Sequence, residues 1–186
     1  MPAKDENIPQ TLEFFSTISK LKDIKRAGWA LHGIQNGESV ADHSFQVAIM
    51  AMSLAYRVGV DQNKSVQMAL IHDIGESVIG DVITERGGSR LQNHTQKQLD
   101  ERDAVRHILN NAGMSEYLDI FDEYTANETP EARFVRQLDK LEMAIQARRY
   151  EISSGIDLGE FYVNARNHIT DQVLLGILDQ VTSNRT

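Results

Sequence analysis

The sequence predicts an all-α fold, a compact bundle of six to eight helices. Three observations carry that expectation. Apolar residues recur at three- and four-residue spacing through most of the chain. The three prolines stand at positions 2, 9 and 130, which leaves a long stretch free of helix breakers. No segment alternates apolar and polar residues over the length of a strand. The 186 residues show no internal repeat and no Pro/Gly/Ser linker, so residues 1–186 are read as one domain.

Each element has its own signal. Leu12, Phe15, Ile18 and Leu21 place a first helix near 11–24. Ser39 is a cap with Asp42 as its capping-box partner, opening a second helix that runs to about Val58 and stops at Gly59. A third starts near Asp61–Lys64 and runs into His72. Residues 85–90 (Glu-Arg-Gly-Gly-Ser-Arg) read as a flexible loop. A fourth helix covers about 95–112, with Leu99, Val105, Ile108 and Leu109 inward and Gly113 as its stop. Ser115 opens a short fifth. Thr129-Pro130-Glu131, a cap followed by an N1 proline, starts a sixth that reaches about 152. Leu174, Ile177, Leu178 and Val181 form a last amphipathic stripe.

Composition excludes several classes. Hydrophobic residues at 41% and charged residues at 25% are a globular balance, not a disordered one. A formal net charge of −8 argues against long nucleic acids and anionic membranes as partners, because both need a surplus of positive charge. The absence of cysteine removes disulfides, thiolate catalysis and Cys-based zinc sites. Residues 1–11 lack the basic start and apolar stretch of a secretion signal. The longest apolar run, Val47–Tyr56, is interrupted by Ser53 and too short to span a bilayer. The expectation is a cytoplasmic protein.

The chemistry concentrates at His72-Asp73, two polar residues ending an apolar helical stretch just before a glycine. Alone, the pair reads first as a core histidine beside a helix-end carboxylate. Other residues change that balance. His43 is followed by Val47, Met50 and Leu54 at +4, +7 and +11, so it points into the core. Asp139 stands four residues after Val135 and beside Leu138, on or next to an apolar face. An unpaired carboxylate buried there costs several kcal/mol. A divalent cation shared by His43, His72, Asp73 and Asp139 removes that cost, and two imidazoles with two carboxylates suit Mn²⁺, Co²⁺, Fe²⁺, Zn²⁺ or Mg²⁺.

The order His43 … His72-Asp73 … Asp139 resembles the signature of HD-domain metal-dependent phosphohydrolases. Lys25-Arg26-Ala27-Gly28-Trp29, Glu38 to His43, His72 to Glu76 with Gly80-Asp81, and Phe134 to Glu142 resemble the 5′-deoxynucleotidase branch of that family. The similarity covers residues 12–165. It implies hydrolysis of (deoxy)ribonucleoside 5′-monophosphates to nucleoside and phosphate. Other HD reactions, on nucleoside triphosphates or cyclic nucleotides, and a non-catalytic metal- or nucleotide-binding domain are the alternatives. The resemblance implies that Glu76 is catalytic, in general acid/base work, and that Asp81 is a second catalytic-site acid. It implies that Arg26 binds phosphate, a task a guanidinium fork suits. It associates Trp29, the sole tryptophan, with the sugar and a 2′-deoxy preference, although some relatives have the Arg and Trp adjacent where Ala27-Gly28 separate them here. It also implies a homodimer, for which the Leu174–Val181 stripe is one candidate surface and core packing that stripe's other use. His94 and His107 are weighed as ligands of a second metal and read as solvated or packed; His32 and His168 carry no motif.

Overall fold

The computed structural model describes residues 8–81, 85–86, 89–90 and 94–183. Eight helices of ten residues or more make up the body: α1 (Ile8–Ser19), α3 (Val40–Val58), α4 (Gln62–Ile71), α6 (His94–Asn111), α7 (Tyr117–Ala126), α8 (Pro130–Ser154), α9 (Gly159–His168) and α10 (Gln172–Ser183). Two short helices, α2 (Ala27–Leu31) and α5 (Glu76–Ile79), and a 3-10 turn at Lys20–Lys22 complete the helical set. Residues 85–90, expected as loop, hold a minimal antiparallel pair, β1 (Glu85–Arg86) against β2 (Ser89–Arg90). The all-α class stands, with two short helices that their sequences do not announce.

The second, third and sixth helices form where the sequence places them, because their caps are strong. Ser39 Oγ accepts from Asp42 N at 3.1 Å while Ser39 N donates to Asp42 Oδ2 at 2.9 Å, and Gly59 takes φ 82° to end the helix. Asp61 caps α4 through Lys64 N at 2.9 Å, and Thr129 caps α8 through Ala132 N at 3.2 Å.

Two apolar clusters fill the interior. The larger joins α3, α4 and α8 to α9 and α10 through Val47, Leu54, Met68, Phe134, Leu138 and Tyr162. Leu174 and Leu178 are fully buried in it, so the C-terminal stripe is core packing. The smaller holds Leu21, Val40, Ile71, Ile74, Val105, Leu109 and Phe121. The chain passes between the clusters at Val40–Val47 of α3 and at Met68–Ile74 around the end of α4, and these two crossings bracket His43 and His72.

Two residues of the first helix's apolar repeat point out. Leu12 and Phe15 are 64% and 58% exposed, while Ile18 and Leu21 pack inward. A strict three-residue spacing steps back about 60° around a helix each time, so four such residues cannot share one face. Leu99, 54% exposed, lies about 120° around α6 from Val105 for the same reason.

The capping box should matter to stability in proportion to the helix it starts. Ser39→Ala is expected to cost about 1 kcal/mol, read as a lower urea midpoint with an unchanged slope.

Candidate functional site

Three connections assemble the site. Residues 24–26 run antiparallel to residues 38–40, with Arg26 N donating to Glu38 O at 3.1 Å and Val40 N to Ile24 O at 2.9 Å. This fixes Arg26 beside the first turns of α3, which carry His43. The end of α4 turns through His72–Gly75 into α5. Gly75 is needed there for contact rather than for an unusual dihedral. A Cβ on it would sit 3.0 Å from Glu101 Cγ, 3.1 Å from Val105 Cγ2 and 3.2 Å from the Glu101 carbonyl oxygen, so α6 can close over the turn only against a glycine. Finally, α8 crosses behind and contributes Asp139 and Glu142 from the same face.

The structure brings His43, His72, Asp73 and Asp139 together. His43 Nε2 lies 3.3 Å from Asp139 Oδ1 and 3.9 Å from Asp73 Oδ2; His72 Nε2 lies 3.2 Å from Asp73 Oδ2. The two imidazole centroids are 5.5 Å apart. Ligand atoms of His43, His72 and Asp73 all fall within 4.8 Å of one another. Two atoms bound to one cation at about 2.1 Å sit roughly 3.0–3.4 Å apart. The cluster therefore has the spacing of a metal centre. The fit is supported by buried polar atoms that make no hydrogen bond: His43 Nε2, His72 Nε2 and Asp139 Oδ1.

The other imidazole nitrogens are held from behind. His43 Nδ1 is 2.6 Å from Glu142 Oε2, and His72 Nδ1 is 2.7 Å from the Ala69 carbonyl. Tyr124 packs its ring edge-on against His72, with centroids 5.5 Å apart, and Arg136 lies over Tyr124 at 4.5 Å.

Arg26 enters the cluster. Its Nη1 donates to Asp73 Oδ2 at 2.8 Å, and its Nη2 lies 3.8 Å from Asp139 Oδ1 and donates to Met143 Sδ at 3.5 Å. The electrostatics follow. Burial opposes ionisation of Asp73, but His72, Arg26 and His43 outweigh it and hold the carboxyl well below its usual range. Burial is likewise outweighed at Asp139, by Lys140 (Nζ–Oδ2 2.9 Å), His43 and Arg26. Burial and Arg26 oppose a charge on His43, yet Asp139 and Glu142 raise its pKa to about 9. Glu38, half-buried near Glu142, is pushed up to about 7 by burial first and by Glu142 second.

The remaining expected residues separate. Glu76 is buried, at the start of α5, and its charge acts on Arg26. Asp81 is half-buried and its Oδ2 accepts the Ala27 amide at 2.6 Å, holding the residue next to Arg26. Trp29 packs among other side chains. It is 0% exposed, stacked on Phe161 (4.4 Å) and edge-on to Tyr150 (4.9 Å), and its Nε1 donates to Glu38 Oε1 at 3.1 Å. The ring is buried beneath the backbone that carries Arg26. His107 is exposed on α6, with its Nε2 3.1 Å from Asn111 Nδ2. The sequence reading gave no role to Glu142 or Tyr124. Glu142 stands three residues after Asp139, one helical turn along, which is the only signal that could have found it. A surface hollow of about 590 Å³ between α3 and α8, lined in part by Lys22, Glu38, Phe45 and Arg149, adjoins this network through Glu38 but includes none of the four clustered ligands.

Comparison with known proteins agrees with the geometry. The HD domain family profile matches residues 18–177. The chain is 32% identical over 179 residues to the 5′-deoxynucleotidase HDDC2 of Danio rerio, covering 94% of this chain and 87% of the relative. It is 34% identical over 189 residues to the 5′-deoxynucleotidase HDDC2 of Dictyostelium discoideum, covering 94% and 97%. Among solved structures it is similar to a conserved hypothetical protein from Pyrococcus furiosus, with TM-score 0.72 and 33% identity over 92% of this chain and 99% of that one.

The burial of Trp29 sets an expectation of its own. Trp29→Ala should cost about 3–5 kcal/mol in urea unfolding; a side chain that served substrate contact would instead leave stability intact and change KM.

Proposed function

The chain belongs to the HD-domain family, and on that premise we propose that it is a metal-dependent 5′-deoxynucleotidase, hydrolysing deoxynucleoside 5′-monophosphates to nucleoside and phosphate. The observation that carries this is the group of buried, unpartnered His43 Nε2, His72 Nε2 and Asp139 Oδ1, gathered with Asp73 at ligand spacing beside an arginine. His43, His72, Asp73 and Asp139 would hold a divalent ion, Mn²⁺, Co²⁺, Mg²⁺, Fe²⁺ or Zn²⁺. Such an ion lowers the pKa of a water and polarises a phosphoryl group.

The chain's own residues supply the rest. Arg26 presents a guanidinium fork to phosphate oxygens, since its two Nη atoms already reach oxygens of two different carboxylates. Glu76 takes a proton from the attacking water as the water oxygen bonds phosphorus, and returns it to O5′ as the P–O5′ bond breaks. Asp81 holds the Ala27 amide and thereby Arg26. No described helix is long and apolar enough to cross a membrane, and the reading is of a cytoplasmic enzyme acting on small nucleotides.

The reading includes a homodimer, and α3 offers its surface. Phe45, Ile49, Met52 and Tyr56 form an exposed stripe on the outer face of that helix, Tyr56 at 92% exposure, and residues 43–56 contain no Asp, Glu, Lys or Arg. The stripe is self-complementary. An antiparallel two-fold contact centred between Met50 and Ala51 sets Phe45 of one copy against Tyr56 of the other and Ile49 against Met52. The same register brings Asp42 and Arg57, exposed at opposite ends of the stripe, within about 3 Å of each other along the axis.

Three measurements test these statements. Phosphate release from a panel of ribo- and deoxyribonucleoside 5′-monophosphates should require a divalent ion and favour deoxy substrates. Glu76→Ala should keep the bound metal and lower kcat by about 10²–10⁴-fold. Tripolyphosphate from triphosphates, a monophosphate from a cyclic nucleotide, or a folded protein inert with every nucleotide, would overturn the assignment. In light scattering the protein should have twice the 20.9 kDa chain mass, and Ile49→Asp should halve it; a monomeric wild type rejects the dimer.

A further inference from the structure

Glu142 is fully buried on α8, and its Oε2 stands 2.6 Å from His43 Nδ1. That separation belongs to a hydrogen bond, not to two ligands of one ion, which sit roughly 3.0–3.4 Å apart. So although Glu38, His43 and Glu142 also bring ligand atoms within 4.8 Å of one another, the contact between His43 and Glu142 is already closed. The opposite nitrogen of the same ring, Nε2, is buried, makes no hydrogen bond, and faces Asp139 and Asp73.

We propose that Glu142 is the positioning residue of the metal centre: by accepting a hydrogen bond from the Nδ1–H of His43 it fixes the ring so that Nε2 is the unprotonated nitrogen turned to the ion, and it strengthens that nitrogen as a ligand. The proposal rests on the reading that His43, His72, Asp73 and Asp139 bind a divalent ion. A ring flip would set a C–H against a buried carboxylate and strip it of its partner, which the interior penalises. The two histidines are therefore unequal. His72 donates to the neutral Ala69 carbonyl at 2.7 Å, whereas His43 donates to a carboxylate, and charge-assisted hydrogen bonds are roughly twice as strong as neutral ones. His43 becomes the stronger nitrogen ligand, its strength set by a residue 99 positions away on another helix.

The test is metal affinity, read without turnover. Full-length wild type, Glu142→Gln and Glu142→Ala are stripped of metal, and their dissociation constants for Zn²⁺ and Co²⁺ are measured by chelator competition, with far-UV circular dichroism as the check on fold. Glu142→Gln keeps size and an acceptor oxygen but loses the charge, and should bind about 10-fold more weakly; Glu142→Ala should approach about 100-fold. The visible spectrum of bound Co²⁺ should shift in both. A residue that only fills space would lower the melting temperature and leave affinity and spectrum unchanged. If the alanine variant fails to fold, the glutamine variant decides alone. Wild-type affinity in a folded Glu142→Gln overturns the proposal while leaving the metal centre intact. A wild type that binds no ion overturns the metal reading and the proposal together.

Discussion

Four acidic side chains, Asp73, Glu76, Asp139 and Glu142, are gathered in or beside one interior space, and the rest of the structure is arranged around keeping them there. Carboxylates removed from water cost several kcal/mol each unless positive charge or hydrogen-bond donors meet them. The chain answers with Arg26, two imidazoles and the reach of Lys140 from the surface. It answers incompletely. Asp139 keeps a buried oxygen without a hydrogen bond, and each imidazole keeps a nitrogen without one. Such an interior could hold a cation.

That requirement explains the local devices. The site draws on α3, on the turn after α4, on α8 and on the segment before α2, and each has its own restraint. The capping box sets the start of α3, and the backbone pairing of residues 24–26 with 38–40 ties Arg26 to it. Gly75 lets α6 close over the histidine turn. Trp29, packed between Phe161 and Tyr150, underlies the loop from Arg26 to Glu38 and joins it to α8 and α9. Apolar clusters on either side keep the polar centre from opening to water.

Much of this was legible in the sequence wherever a local rule decides the outcome. Ser39 with Asp42, Asp61 and Thr129-Pro130 each announce a helix start through bonds that span three residues. His43 was legible as an inward residue because Val47, Met50 and Leu54 share its face. Leu99, expected inward, is exposed because the rotation of the helix carries it off the face of Val105. Trp29 and Glu142 were beyond local rules. The first is buried by Tyr150 and Phe161, the second meets His43 from across the bundle, and both contacts exist only once α8 has packed.

The two acids following the histidine turn also divide once the structure is in view. Asp81 gives an oxygen to the Ala27 amide, so it acts on the backbone that carries Arg26. Glu76 is buried at the start of α5, and its charge acts on Arg26. The division bears on a chain of net charge −8 that is read as acting on an anion. Long polyanions are repelled by the surface as a whole. A phosphomonoester needs positive charge only where its phosphate sits, and Lys20, Lys22, Lys25 and Arg26 against Asp23 make residues 20–26 locally positive. The segment proposed to meet the phosphate is thus the one that runs against the sign of the molecule, and Asp81 and the 38–40 pairing hold it in place. Global charge then sets which anions are excluded, and local charge which one is admitted.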